Sequence, residues 1–345
     1  MRRQVQHPAE ERSGILAGGN WIIDRVKIVD RYPREDGLAC IVEESRSNGG
    51  SPYNLLKDLA KLQAPFPLEA AGLVGEDEPG AFILDDCRAH GIVTAQLQRT
   101  PAAPTSYTDV MTVRGTGRRT FFHQPGANRL LDTGHFSLRD SHARIFHLGY
   151  LLLLDRLDEI RPDGSTGAAA LLHEARALGF RTSADLVSEE TDRVRAVVTP
   201  SLPAIDYLFL NELEASTVTN VSTIEDGIVD AVALSEAAAR LIAAGVRQLV
   251  CIHHPGGVLA RDARGGEWRQ GSVNIPGEKM IGALGAGDAF AAGVLFGVHE
   301  KWDTQRSLRL GICAAGASLA HQNSSESVLP WADCLRLGQT QGFRS

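Results

Sequence analysis

Beyond about residue 143, short runs of consecutive apolar residues alternate with longer stretches whose apolar positions recur at helical spacing. The runs "ARIFHLGYLLL" (143–153), "FRTSADLV" (180–187), "IDYLFLN" (205–211) and "RQLVCIHH" (247–254) have the length and side-chain type of buried strands. Between them, "TGAAALLHEARALG" (166–179) and "IVDAVALSEAAARLIAAG" (228–245) read as helices closed by Gly179 and Gly245. Such alternation predicts βαβ units and a mostly parallel sheet covered on both faces. The earlier part reads differently. "ILAGGNWIID" (15–24) predicts an opening strand, "SPYNLLKDLAKLQ" (51–63) a helix and "PLEAAGLVG" (67–75) another buried strand. "LACIVEES" (38–45) and "SYTDVMTVRGTGRRTFFHQ" (106–124) predict antiparallel pieces, the second a hairpin turning at "RGTG". The tail beyond Trp331 gives no pattern.

Composition narrows the class without naming it. The 345 residues carry a formal net charge of −7, so no electrostatic footprint for nucleic acid or an anionic membrane is expected. The N-terminal "MRRQVQHPAEERSG" lacks the apolar segment of a secretory signal, and "GYLLLLD" is far too short to span a bilayer. The five cysteines are scattered and never form a CxxC pair, which argues for a reducing compartment rather than disulfides or zinc. A cytoplasmic location is the expectation.

Residues 282–290 read "GALGAGDAF", ahead of the apolar helix pattern "AFAAGVLFGV". Alone, Asp288 is an ordinary first-turn carboxylate favoured by the helix dipole. Alternatively, the glycines let backbone amides approach an anion, with the aspartate placed to take a proton from an attacking hydroxyl. A Walker A loop is excluded because no lysine follows. A dinucleotide fingerprint is excluded because Phe290 replaces its third glycine, and protein-kinase catalytic-loop spacing is absent.

Several segments, in order, resemble the ribokinase-like (PfkB) carbohydrate kinases. "GALGAGDAF" is similar to that family's DTxGAGDxF, "GGNWIID" (18–24) to its acceptor-binding start, and "NGGSPYN" (48–54) to GGxxxN. "AGLVGEDEPGAFILDDCRAHGI" (71–92), the stretch from Pro104 to the "GAN" ending at Asn128, and "NELEAS" (211–216) extend the resemblance over nearly the whole chain. The resemblance implies one ribokinase-like α/β domain over 1–345, a doubly wound, mostly parallel sheet with helices on both faces. It adds a small β-sheet lid from about 24–47 and 105–125. It implies transfer of the γ-phosphoryl group of ATP, with Mg²⁺, to a hydroxyl of a small sugar, and a nucleoside as the alternative acceptor. On this sequence Asp288 would be the base, and Gly285, Ala286 and Gly287 the anion hole. Asn211 and Glu214 would organise Mg²⁺ through water, while Asn211, Gly257, Gly285 and Gly287 would contact the nucleotide. Asn20, Asp24, Gly49, Gly50, Asn54 and Asn128 would hold the acceptor, a carboxylate such as Asp24 suiting two neighbouring hydroxyls. A lid-to-lid homodimer follows only by analogy.

Each assignment has a plainer counterpart. Asn211 and Glu214 could merely cap a helix, Gly49-Gly50 and Asn128 could be turn residues, and Asp24 a solvated strand end. Asp185 is a further phosphate-side candidate or a helix cap, and His253-His254 line a nucleotide pocket or the surface. Trp21 and Tyr53 flank the acceptor motifs, either as a slot for a base or as core. The chain also departs from the family pattern. Gly282-Ala283 replace its Asp-Thr, and "HQNSSES" (321–327) replaces a small glycine-alanine turn, so weak or absent potassium activation is expected. "CIHHPGGVLA" carries His254 where a glycine is typical. The missing Asp-Thr also motivates a non-catalytic sensor of a sugar or nucleotide as a third reading.

Overall fold

The computed structural model describes residues 12–189 and 193–344. The reading of residues 1–11 as lacking a leader lies outside the described residues. The chain opens with β1 (Ile15–Gly19), β2 (Ile22–Val29) and β3 (Ile41–Gly49), then α1 (Ser51–Lys61), β4 (Leu68–Gly75), α2 (Glu78–Ala89) and β5 (Val93–Thr100). A hairpin follows, β6 (Ser106–Val113) and β7 (Arg119–Gln124), and then β8 (Ile145–Leu151), α3 (Gly167–Ala177), β9 (Arg181–Leu186) and α4 (Val194–Val198). β10 (Tyr207–Asn211) leads into α5 (Glu212–Thr219), the two-residue strands β11 (Ile224–Glu225) and β12 (Ile228–Val229), and α6 (Ala231–Ala243). The C-terminal third holds β13 (Leu249–His254), β14 (Gly257–Asp262), β15 (Glu267–Gly271), α7 (Ala286–His299), α8 (Thr304–Ser318) and α9 (Trp331–Gln341).

Among the described residues, nine strands form the main sheet in the order β15-β14-β13-β10-β9-β8-β1-β4-β5, parallel from β13 to β5. β14 and β15 extend one edge as antiparallel strands. The inner parallel strands are buried on both faces, which is why they read as unbroken apolar runs, whereas the edge strand β5 is largely exposed. One core packs Phe146, Leu148, Leu172, Leu208 and Leu234 on the α3–α6 side; the other packs Phe209, Phe290, Phe296, Leu56 and Ile83 on the α1, α2 and α7–α9 side. The expected doubly wound α/β fold is therefore present. Helix starts are fixed locally: the side chains of Asp77, Thr166, Asp230 and Asp303 each accept from first-turn amides of α2, α3, α6 and α8.

A second sheet has the order β3-β2-β6-β7. Its β6–β7 turn falls on the expected "RGTG", but β2 and β6 pair in parallel, so the sheet is not wholly antiparallel. The run "ILAGGNWIID" is likewise not one strand. It breaks at Asn20-Trp21, leaving β1 in the large sheet and β2 in the small one. The break is pinned by side chains. The Asn20 amide donates to Leu153 O at 2.6 Å, and buried Trp21 donates its indole N–H to Ala71 O at 2.9 Å. α8 and α9 were not foreseen in the sequence.

Candidate active site

α7 is capped at its start by Gly285, whose φ of 71° lies in the left-handed region, and a Cβ there would stand 2.6 Å from Ser324 Cβ. Glycine is thus required both by backbone conformation and by space. The turn that follows brings Asp288 into the first turn of the helix, beside amides that have no intrahelical partner. Asp288 is buried and Asn54 of α1 donates to its Oδ2 at 2.8 Å. The Tyr150 hydroxyl, at the end of β8, donates to the same carboxylate, 2.8 Å from Oδ2 and 2.9 Å from Oδ1. Burial holds the Asp288 carboxyl well above the usual range, and the charges of Asp185 and Glu214 add to this while Asn54 and Tyr150 oppose it.

Asp288 lies in the wall of a cavity of about 480 Å³ between the two sheets. The small sheet contributes Ile22 and Asp24 from β2, Thr108 from β6, and Arg119, Phe121 and His123 from β7. The last three alternate along the strand and so share one face. Burial pushes the Asp24 carboxyl up to about 8, with the Asp288 charge adding and a bond from Thr108 opposing. The space Asp24 occupies exists because residue 49 is glycine, since a Cβ there would stand 2.4 Å from the carboxylate.

The C-terminal ends of β9 and β10 supply Asp185 and Asn211 to the same cavity, and the first turn of α5 supplies Glu214. Asn211 caps α5, accepting from the Glu214 amide at 2.8 Å while Glu214 Oε2 accepts from the Asn211 amide at 2.8 Å. The plain capping reading of this pair is therefore realised, and both residues face the cavity as well. Ser188 and the Asn211 side chain donate to Glu214 Oε1, each at 2.8 Å, and burial raises its carboxyl to about 7. Asp185 accepts from Ser51 through Oδ2 at 2.7 Å, while its buried Oδ1 has no protein partner. No group of three or more His, Cys, Asp or Glu among the described residues is arranged to hold a metal. An oxygen-rich wall with one unpaired carboxylate oxygen suits a hard, hydrated divalent cation rather than a soft one.

A second cavity of about 560 Å³ lies beyond the start of α7. It is lined by His253, His254, Gly257, Val273, Ile275 and Phe290, among others. Ala286, Gly287, Asn211, His253, Ala283 and Arg119 border both cavities, so the first turn of α7 is their common wall. Burial and the neighbouring His254 lower His253 to about 4, leaving a neutral ring beside the Gly287 backbone.

Of the residues singled out in the sequence, Asp24, Gly50, Asn54, Asn211, Glu214, Gly285, Ala286, Gly287 and Asp288 converge on the first cavity, and Gly257 on the second. Asn20 and Asn128 line neither. Asn20 Oδ1 accepts from the Tyr150 backbone N–H, and the Asn128 side chain bonds the backbone of Trp21 at 3.2 Å on both sides. They fix the walls from behind. Trp21 and Tyr53 are core, their rings 5.5 Å apart, with the Tyr53 hydroxyl on Asp86. A slot for a base made of these two is excluded. Tyr150, Arg119 and His123 were missed in the sequence. Tyr150 could have been found from its place at a parallel strand's C-terminal end, where open α/β sheets gather binding groups.

Comparison with known proteins follows the same outline. The pattern of the pfkB family carbohydrate kinases matches residues 14–332. An ATP-dependent ribose-1-phosphate kinase of Halopiger xanaduensis is 27% identical over 337 residues, covering 95% of this chain and 99% of its own. Adenosine kinase 2 of Arabidopsis thaliana is 23% identical, covering 88% and 92%. Among solved structures, Arabidopsis thaliana ribokinase complexed with ribose and ATP superposes with a TM-score of 0.76 at 21% identity, covering 94% of this chain and 98% of that one. With a match reaching from one end of the described fold almost to the other, the chain belongs to the pfkB family of carbohydrate kinases.

Proposed function

We propose that the protein transfers the γ-phosphoryl group of ATP to a hydroxyl of a small sugar bound in the first cavity, with ATP in the second. The observation that carries this reading is the position of the Asp288 turn as the wall shared by both cavities. The acceptor oxygen attacks the γ-phosphorus, the bond to the β–γ bridging oxygen breaks, ADP leaves, and the proton passes to Asp288. The first-turn amides at Ala286 and Gly287 stabilise charge on the transferring group. Asp24 receives two acceptor hydroxyls, and the small sheet acts as the lid that excludes water. Asp185, Asn211 and Glu214 would hold Mg²⁺ through water, and the ion would offset negative charge on the phosphates. Asn20 and Asn128 serve this site through Tyr150 and Trp21 rather than by touching the acceptor.

A nucleoside is the second reading. Phe121 is 53% exposed on the cavity face of the small sheet, where a base could stack, and one relative is an adenosine kinase. ADP release from Mg-ATP with a panel of sugars and nucleosides separates the readings. Turnover with sugars, reduced about 10²- to 10⁴-fold in Asp288→Asn, is the expected result. Turnover confined to nucleosides selects the second reading. Binding without turnover across the panel selects a sensor and refutes both.

A further inference from the structure

The base position of this site is occupied by the protein itself. Tyr150 donates to both oxygens of Asp288, and Asn54 fills a further position on Oδ2. An acceptor hydroxyl must donate to this same carboxylate before it can attack. The phenol is firmly placed. Its backbone N–H is held by Asn20 Oδ1, and the Asn20 amide is tied to Leu153 O at 2.6 Å. It also remains a donor, since burial and the charges of Asp288, Asp185 and Asp24 hold its proton well beyond the ordinary tyrosine range. The other carboxyls felt by Asp288 or feeling it are Asp58 of α1, Asp24 of β2, Asp185 of β9 and Glu214 of α5. Tyr150 is the side chain that supplies a hydroxyl to Asp288 among the described residues.

We propose that Tyr150 is a positioning residue that stands in for the acceptor hydroxyl on Asp288 when the acceptor is absent, and so prevents a water molecule from being activated there. This rests on the reading of Asp288 as the base. Without the phenol, water would occupy the vacated position and transfer its proton to Asp288. Its oxygen would bond to the γ-phosphorus while the bond to the β–γ bridging oxygen breaks, releasing ADP and inorganic phosphate. The acceptor displaces the phenol by donating in its place, so the site commits to transfer only when filled.

The test is ADP release from Mg-ATP with no acceptor, measured on the full chain. Tyr150→Phe keeps the ring and removes the hydroxyl; it should raise acceptor-free ADP release by about tenfold or more, as general-base activation of water predicts. The gain should vanish in Tyr150→Phe/Asp288→Asn. An acceptor-free rate equal to that of the unmodified protein, or a gain that survives in the double variant, overturns the proposal. Tyr150→Leu provides the same comparison should the phenylalanine variant melt below assay temperature. Failure of the underlying reading looks different, because Asp288→Asn alone would then keep full turnover on the acceptor.

Discussion

At the scale of single residues, the site is a set of carboxyl groups gathered in one partly desolvated cavity. Asp24, Asp185, Glu214 and Asp288 share one cavity, and the carboxyls of Asp24, Glu214 and Asp288 are raised chiefly by burial. The neighbours that permit this are small. Gly49→Ala would drive a methyl group into the Asp24 carboxylate, an overpacking cost of about 1–3 kcal/mol. The expected outcome is a lower melting temperature and a raised acceptor KM with less change in kcat, read by thermal denaturation and steady-state kinetics. Residue types betrayed part of this. Asp24, Asn54 and Asp288 sit in motifs whose spacing is legible, whereas Tyr150 reaches Asp288 across 138 positions, and nothing local announces that contact.

At the scale of elements, the expected ion chemistry turns on the start of α7 and the segment facing it. Gly282 lies so close to 321–322 that a Cβ would stand 2.6 Å from His321 O. The space an aspartate side chain would need there is filled by backbone. Replacing a large organic cation with K⁺ should therefore raise ADP formation by less than about tenfold, or 1.4 kcal/mol. A larger rise would refute the closed arrangement. Gly285→Ala should cost about 1–2 kcal/mol from the left-handed backbone alone, with further loss against Ser324. Urea titration measures it. The same scale explains what was and was not legible. Buried parallel strands read directly from apolar runs, because both faces are covered. The split of "ILAGGNWIID" did not, because Asn20-Trp21 is itself mostly apolar-flanked, and the side chains that bend it find partners at Leu153, Ala71 and Asn128. α8 lacked a turn signal near its end, Leu319 closing it in right-handed backbone rather than a glycine.

For the whole molecule, the raised carboxyls set how stability follows pH. Asp24 is raised from 3.8 to about 8, so the folded state binds a proton that the unfolded chain has already released between those values. Its contribution is complete below about 4 and is lost as pH rises through about 8. The ligand-free protein should melt at a higher temperature at pH 5 than at pH 8, and Asp24→Asn should flatten that difference, both readable by calorimetry. An unchanged slope in the variant would assign the effect to other groups.

The two-residue passage from β1 to β2 has a mechanical consequence. Asp24 rides on the small sheet and Asp288 on the first turn of α7, and their charges oppose each other only once both carboxyls have lost their protons. On the proposed reading, a polyhydroxylated ligand bonded to both carboxyl groups would tie the two sheets together. Occupancy of the cavity and the distance between the sheets would then become a single variable, anchored at one end by the pinned Asn20-Trp21 passage.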